Sequence, residues 1–115
     1  MAINKIGKHG ANASIDTLAN YLTGPPESFT NSNGSFEGKA GKELYLGRLP
    51  EEWKERYDNT AVVYTVFSYA TPIAWLDNEG EWIVPAVKHS ATTSQHQSKL
   101  KAALTYNGRE YTETL

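Results

Sequence analysis

The sequence predicts an α+β fold: a small antiparallel sheet of three or more strands, covered by a C-terminal helix and preceded by short helices. Three observations carry this. Residues 61–67, AVVYTVF, are mostly β-branched or aromatic, as a strand covered on both faces requires. Two shorter runs, Ile73 to Leu76 and Glu81 to Val84, flank Asp77-Asn78-Glu79-Gly80, which has hairpin chemistry because glycine takes a positive φ without steric cost. His96, Leu100, Ala103 and Leu104 then recur at helical spacing on one face, and a helix following a strand run lies across the sheet.

Taken in chain order, Ser14 is placed to cap a short helix whose apolar face is Ile15, Leu18, Ala19 and Leu22. Gly24 followed by Pro25-Pro26 ends it, since glycine accepts the left-handed C-terminal position and proline cannot continue a helix. Glu27 to Lys42 is dense in Gly, Ser and Asn, with Phe29 and Phe36 as its two large apolar residues. It reads as a mobile loop. Residues 1–43 are therefore expected to be an N-terminal arm and residues 44–115 a compact α+β core. Leu44 to Leu49 reads as a short strand or docking segment. Pro50, Glu51 and Glu52 suit the first turn of a helix, and Trp53 and Tyr57 share its buried edge. Trp75 and Trp82 are expected to face one another across the hairpin, and Pro85 to close the third strand or mark a sheet edge. The last helix is expected from about Thr93, with Thr92 and Gln95 or Ser94 and Gln97 as its capping box, ending near Asn107-Gly108. A tight turn at Asn107-Gly108 between short strands is the alternative.

Composition bounds the function. A chain of 115 residues supplies one modest core. Eleven Lys and Arg against thirteen Asp and Glu give a net charge of -2, which is not the basic signature of a duplex binder. With no cysteine, a disulfide framework, a zinc ribbon and a thiol nucleophile are all excluded. Met1-Ala2-Ile3-Asn4-Lys5 lacks the apolar run of a signal peptide, and no stretch reaches the length of a bilayer span. A cytoplasmic location and no membrane partner are the expectations.

The densest polar cluster runs from Lys88 to Gln97. A helix start presents free N–H groups and partial positive charge, so Ser90, Thr92, Thr93 and Ser94 with Lys88 and Lys99 offer an anion site, or simply cap the helix. His89 and His96 titrate near neutrality. Two histidines seven apart with no third ligand nearby make a poor metal set, and no metal or cofactor is expected. His96 also falls on the apolar helix face, where a hydrogen-bonded core histidine is the simpler reading. His9 carries no pattern. Ser68 lacks nucleophile-elbow glycines and reads as a turn residue. Tyr64, Tyr69 and Trp75 are candidates for stacking on single-stranded nucleic acid, against core packing as their default.

Tyr64 to Trp75, with Ser68-Tyr69-Ala70-Thr71-Pro72-Ile73-Ala74 at its centre, and Lys88 to Gln97, ending in Thr92-Thr93-Ser94-Gln95-His96-Gln97, form a pair of motifs. The pair resembles an uncharacterised family of small proteins of phages and plasmids, over about residues 62–100. The resemblance implies no known activity. It implies a setting in which small proteins bind viral or host macromolecules. His89 stands where the family pattern often has an aromatic residue.

Three functions follow as expectations. The first is a non-catalytic binding module of a phage or other mobile element, with nucleic acid or a host protein as partner. Its candidate site is Tyr69, Thr71, Lys88, Ser90, Thr93 and His96, converging because the hairpin returns the chain to the end of the sheet where Ser68 lies. The second is a small enzyme acting on a phosphate-containing substrate through His96 with Ser68 or Thr93. The third is a minor assembly protein that pairs with a second copy through an edge strand after Pro85.

Overall fold

A computed structural model describes residues 4–5, 15–31 and 34–115. Among these, seven strands form one sheet in sequence order: β1 (Asn4–Lys5), β2 (Phe29–Thr30), β3 (Phe36–Ala40), β4 (Val62–Ser68), β5 (Thr71–Asp77), β6 (Trp82–Ile83) and β7 (Tyr111–Thr112). The pairs from β2 to β6 are antiparallel, and the two outermost pairs are parallel. Each parallel pair needs a crossover, and each crossover is a helix. Helix α1 (Ile15–Leu22) joins β1 to β2, and α3 (Ala91–Tyr106) joins β6 to β7. The two crossover helices pack on each other. Helix α2 (Glu51–Asp58) lies between β3 and β4 in the chain. The α+β class is as expected.

The sheet is covered on both faces, which explains why residues 61–67 are so uniformly apolar. One cluster joins Leu18, Leu22, Phe29, Phe36, Tyr64, Val66, Trp82, Leu100 and Leu104, so α1 and α3 cover that face. The other joins Leu46, Leu49, Trp53, Tyr57, Val62, Trp75 and Ile83, so α2 and the segment before it cover the opposite face. On this second face Tyr57 and Trp53 meet the Trp75 ring edge-on, with centroids 4.9 and 6.0 Å away. The Tyr57 hydroxyl lies 2.8 Å from Thr65 Oγ1, which donates to the Gly41 carbonyl. Thr65 has one proton to give, so Tyr57 donates to Thr65 and accepts from the Glu43 N–H.

Two bulges let the alternation serve both layers. Val63 is extra in β4 and is pushed outward, while Ile73 is extra in β5. The second bulge turns the consecutive residues Ile73 and Ala74 toward the same core.

Several sequence expectations differ from this arrangement. The segment expected to be a mobile loop carries β2 and β3, with Phe29 and Phe36 buried and ring centroids 5.2 Å apart. Because β3 pairs with β4 along its whole length, the sheet runs through the expected boundary at residue 43. Helix α1, expected on a flexibly attached arm, is part of the first core. Its end is as expected, with Gly24 at φ 65. The Asn107 side chain, from the end of α3, donates to the Ala19 carbonyl at 2.9 Å. The cap expected at Ser14 lies outside the described residues, as does His9. Of the two expectations for Leu44 to Leu49, the docking segment is found and the strand is not: the segment docks through Leu46 and Leu49.

Trp75 and Trp82 do not pair. The register sets Trp75 opposite Ile83 and Leu76 opposite Trp82, so the two indoles lie in opposite layers. Asp77 N–H bonds to the Glu81 carbonyl, leaving a loop of Asn78, Glu79 and Gly80 with Gly80 at φ 87. A loop shorter by one residue slides the register by one, and each such step flips every side chain. The segment around Pro85 is not a free edge either. Val84 and Ala86 N–H donate to the Thr112 and Glu113 carbonyls, so the C-terminal segment covers it.

Gly38 is where β3 most needs its residue type. A Cβ there would collide with the Tyr64 hydroxyl and the Phe29 ring. Gly38→Ala should lower stability by about 1–3 kcal/mol through overpacking, read as a reduced urea midpoint at unchanged slope.

Candidate functional site

The hairpin joining β4 to β5 turns in two residues, with Ser68 opposite Thr71. Tyr69 and Ala70 both take positive φ, 50 and 66, the combination of a tight hairpin turn, which usually uses Asn and Gly. With Cβ-bearing residues this costs about 1–2 kcal/mol at each position. The surroundings hold it. Tyr69 N–H donates to the Ser35 carbonyl at 2.9 Å, and the loop before α2 closes on its other side. There Thr71 Oγ1 accepts from Arg48 N–H at 3.0 Å.

Helix α3 begins beside this turn. Ser90 is its N-cap, with the side chain accepting from Thr93 N–H at 3.3 Å. The helix therefore starts at Ala91, ahead of the expected position, and neither expected capping box forms it. Thr93 and His96 lie on one face and meet Ser68. Ser68 Oγ donates to Thr93 Oγ1 at 3.0 Å and lies 2.7 Å from His96 Nδ1. Serine has one proton, so with that proton given to Thr93, His96 Nδ1–H is the donor to Ser68. Serine is an acceptor in this arrangement, the reverse of what an activated nucleophile needs. The next residue completes the contact. Gln97 Nε2 donates to the carbonyls of Ile73, at 3.1 Å, and Pro85, at 3.0 Å. Gln97 was not among the expected site residues, although it closes the second motif.

The cluster is closed to solvent: Ser68 and His96 are 1% exposed, Thr93 and Gln97 6%. The His96 ring stacks on Phe36, centroids 4.6 Å apart at 4°, with the Tyr69 ring 6.0 Å from it on the outside. Burial holds His96 below its ordinary value of 6.5. His89 is lowered by burial as well, and its Nε2 has no hydrogen-bond partner among the described residues.

Of the expected site residues, Tyr69, Thr93 and His96 come together, with Ser90 one hydrogen bond away. Thr71 is turned toward Arg48, and Lys88 is exposed on the connection before α3. The expected stacking residues Tyr64 and Trp75 are buried, whereas Tyr69 is exposed. Among the described residues no group of three or more His, Cys, Asp or Glu is placed to hold a metal ion, and no helix is long and apolar enough to cross a membrane.

Sequence reasoning missed a second surface. Leu44 is fully exposed and Tyr45 is 69% exposed. They form one wall of an open groove whose other wall is α2, with Glu51, Glu52, Glu55 and Asp58. The apolar run Leu44-Tyr45-Leu46 points to burial in sequence, and only the fold shows that Leu46 alone goes inward.

The buried network predicts two stability effects. Thr93→Val leaves Ser68 without its acceptor and should cost about 1–2 kcal/mol, and His96→Ala, which also opens a cavity, roughly 3 kcal/mol. For pH the sign follows from the lowered His96 value: the unfolded chain takes up a proton near 6.5 while the folded chain does not. Stability should be full above that point and fall as pH drops below it, toward the folded value. His89 contributes in the same sense. Urea midpoints compared between pH 7.5 and 5.5 check this, and His96→Phe should remove part of the slope.

No curated protein and no solved structure matches the chain. One family does, over residues 25–113. That span includes both motifs and also β2 and β3, so the matched unit begins well before the region that the motif pair had suggested. The chain belongs to the family of unknown function DUF8033.

Proposed function

We propose that this chain is a non-catalytic binding module of a phage or other mobile element, acting in the host cytoplasm on a host protein. The observation that carries the reading is the burial of the hydroxyl–imidazole cluster. Ser68, Thr93 and His96 are the residues to which nucleophilic or acid–base chemistry had been assigned. Ser68 Oγ, Thr93 Oγ1 and His96 Nδ1 are engaged with one another, in residues exposed by 6% or less. A reacting group must reach its substrate within hydrogen-bond distance, so this closure argues against the enzyme reading.

The choice of protein over nucleic acid rests on surface charge. The chain carries a net charge of -2, and the groove beside α2 presents four carboxylates with one lysine. A phosphate backbone would be repelled there, and nucleic-acid affinity comes largely from neutralising phosphates. Two of the three tyrosine and tryptophan residues considered for base stacking are in the core. The phage or plasmid setting comes from the motif resemblance.

Fluorescence anisotropy with single-stranded DNA, duplex DNA and RNA oligonucleotides at about 50 mM salt tests the partner class. The expected result is no salt-sensitive binding to any of them. Turnover of p-nitrophenyl acetate and p-nitrophenyl phosphate should equal the buffer rate for the native chain. Salt-sensitive oligonucleotide binding, or turnover abolished by Ser68→Ala in a folded protein, would overturn the proposal.

A further inference from the structure

Helix α2 has an unpartnered outer face. Its inner face is fully used, with Trp53 and Tyr57 buried against Trp75. The outer face meets the Leu44–Tyr45 segment across the open groove. This segment docks by burying Leu46 and Leu49, yet it leaves Leu44 wholly in solvent and Tyr45 mostly so. Tyr45 also borders a small cleft beside the strained turn, lined by Glu37, Lys39, Glu43, Phe67 and Ala70. Two adjacent large apolar side chains are thus held outward on a segment that is otherwise anchored.

Four carboxylates and one lysine, Lys54, line the groove beside that ridge. Glu51 and Glu52 are explained by the helix itself, since carboxylates in a first turn are stabilised by its dipole. Glu55 and Asp58 are not, because they lie toward the negative end, where a carboxylate opposes the dipole. Two lysines temper this charge. Lys54 Nζ is 3.5 Å from Glu51, and Lys42 Nζ is turned to the Asp58 and Thr60 carbonyls. Glu52, Glu55 and Asp58 have no ion pair within the described residues and are exposed.

We propose that this groove binds a lysine- or arginine-rich segment of a partner protein, with an apolar side chain of that segment seated on Leu44 and Tyr45. This rests on the binding-module reading and specifies the chemistry of the partner. The groove lies beside α2 and is open to solvent. Its cations face Glu52, Glu55 and Asp58, and burial of Leu44 supplies the non-electrostatic part of the affinity.

The test uses the full chain and a fluorescein-labelled synthetic peptide in which pairs of lysines flank single leucines, followed by anisotropy. Binding is expected, weakening with salt. Leu44→Ser should weaken it about tenfold, the effect of removing one anchoring side chain. The double variant Glu55→Gln with Asp58→Asn should weaken it by a similar factor and flatten the salt dependence. Glu27→Gln with Glu110→Gln makes the same charge change outside the groove and should leave binding unchanged. All these positions are exposed, and unchanged circular dichroism checks that each variant is folded. Equal loss in the groove and off-groove variants would overturn the inference, as would no binding of the lysine–leucine peptide. If a peptide with serines in place of its lysines binds equally well and Leu44→Ser abolishes it, the binding module stands and the cationic partner falls. If labelled single-stranded DNA binds in the groove instead, the protein-partner reading falls with it.

Discussion

Ser68 has a single proton and two polar neighbours, Thr93 and His96, in a region without solvent. Each group left unpaired there would cost about 1–3 kcal/mol, so the three side chains hold one another in a fixed relation. Their relation is also that of two structural elements, because Ser68 ends β4 while Thr93 and His96 lie in the first turns of α3. Gln97 extends the same seam by holding the Ile73 and Pro85 carbonyls. The apolar contacts of Leu100 and Leu104 attach the helix to the sheet without fixing its rotation or its position along the strand. The seam fixes both, since hydrogen bonds are directional and apolar contact is not. The two motifs are thus the two sides of one joint. Ser68 and Ile73 belong to the first, and Thr93, His96 and Gln97 to the second.

From this joint the remaining order follows. Placing the start of α3 beside the Tyr69–Ala70 turn sends its other end toward α1, where Asn107 reaches the Ala19 carbonyl. The chain then returns to lay β7 along β6 and cover the edge after Pro85. Phe36 lies against the His96 ring, which brings β3 into the same assembly. The opposite face is built independently from Trp53, Tyr57 and Trp75. It leaves the outer surface of α2 and the Leu44–Tyr45 ridge free for a partner, so structure and proposed function occupy different faces of the sheet.

Much of this was legible in the sequence where local chemistry decides. Pro50 with Glu51 and Glu52 marked α2, the four-residue spacing of Trp53 and Tyr57 gave its buried edge, and the His96–Leu104 periodicity gave the buried face of α3. Elements decided by long-range pairing were not legible. Phe36 to Ala40 contains a glycine and a lysine and alternates weakly; it is a strand because β4 offers it a complete ladder and because Tyr64 and Phe29 fill the space above Gly38. The pairing of Trp75 failed by one residue because the sequence does not show which residue closes the loop, Asp77 or Leu76. The cap of α3 was ambiguous among Ser90, Thr92, Thr93 and Ser94. The choice depends on Thr93 being engaged by Ser68, a residue 25 positions away. The joint itself was anticipated from topology, because a short connection after the third strand brings the helix start back to Ser68. The acidic groove was not, because it depends on which of three consecutive apolar residues turns inward.

The central claim is that Ser68 and His96 act together as a structural joint. A double-mutant cycle in urea unfolding measures that directly, using Ser68→Ala, His96→Phe and the double variant. A joint predicts that the two single losses are coupled by about 1 kcal/mol or more, as for a buried hydrogen bond. Additivity within about 0.3 kcal/mol would contradict it, leaving the two residues as unrelated occupants of the same core.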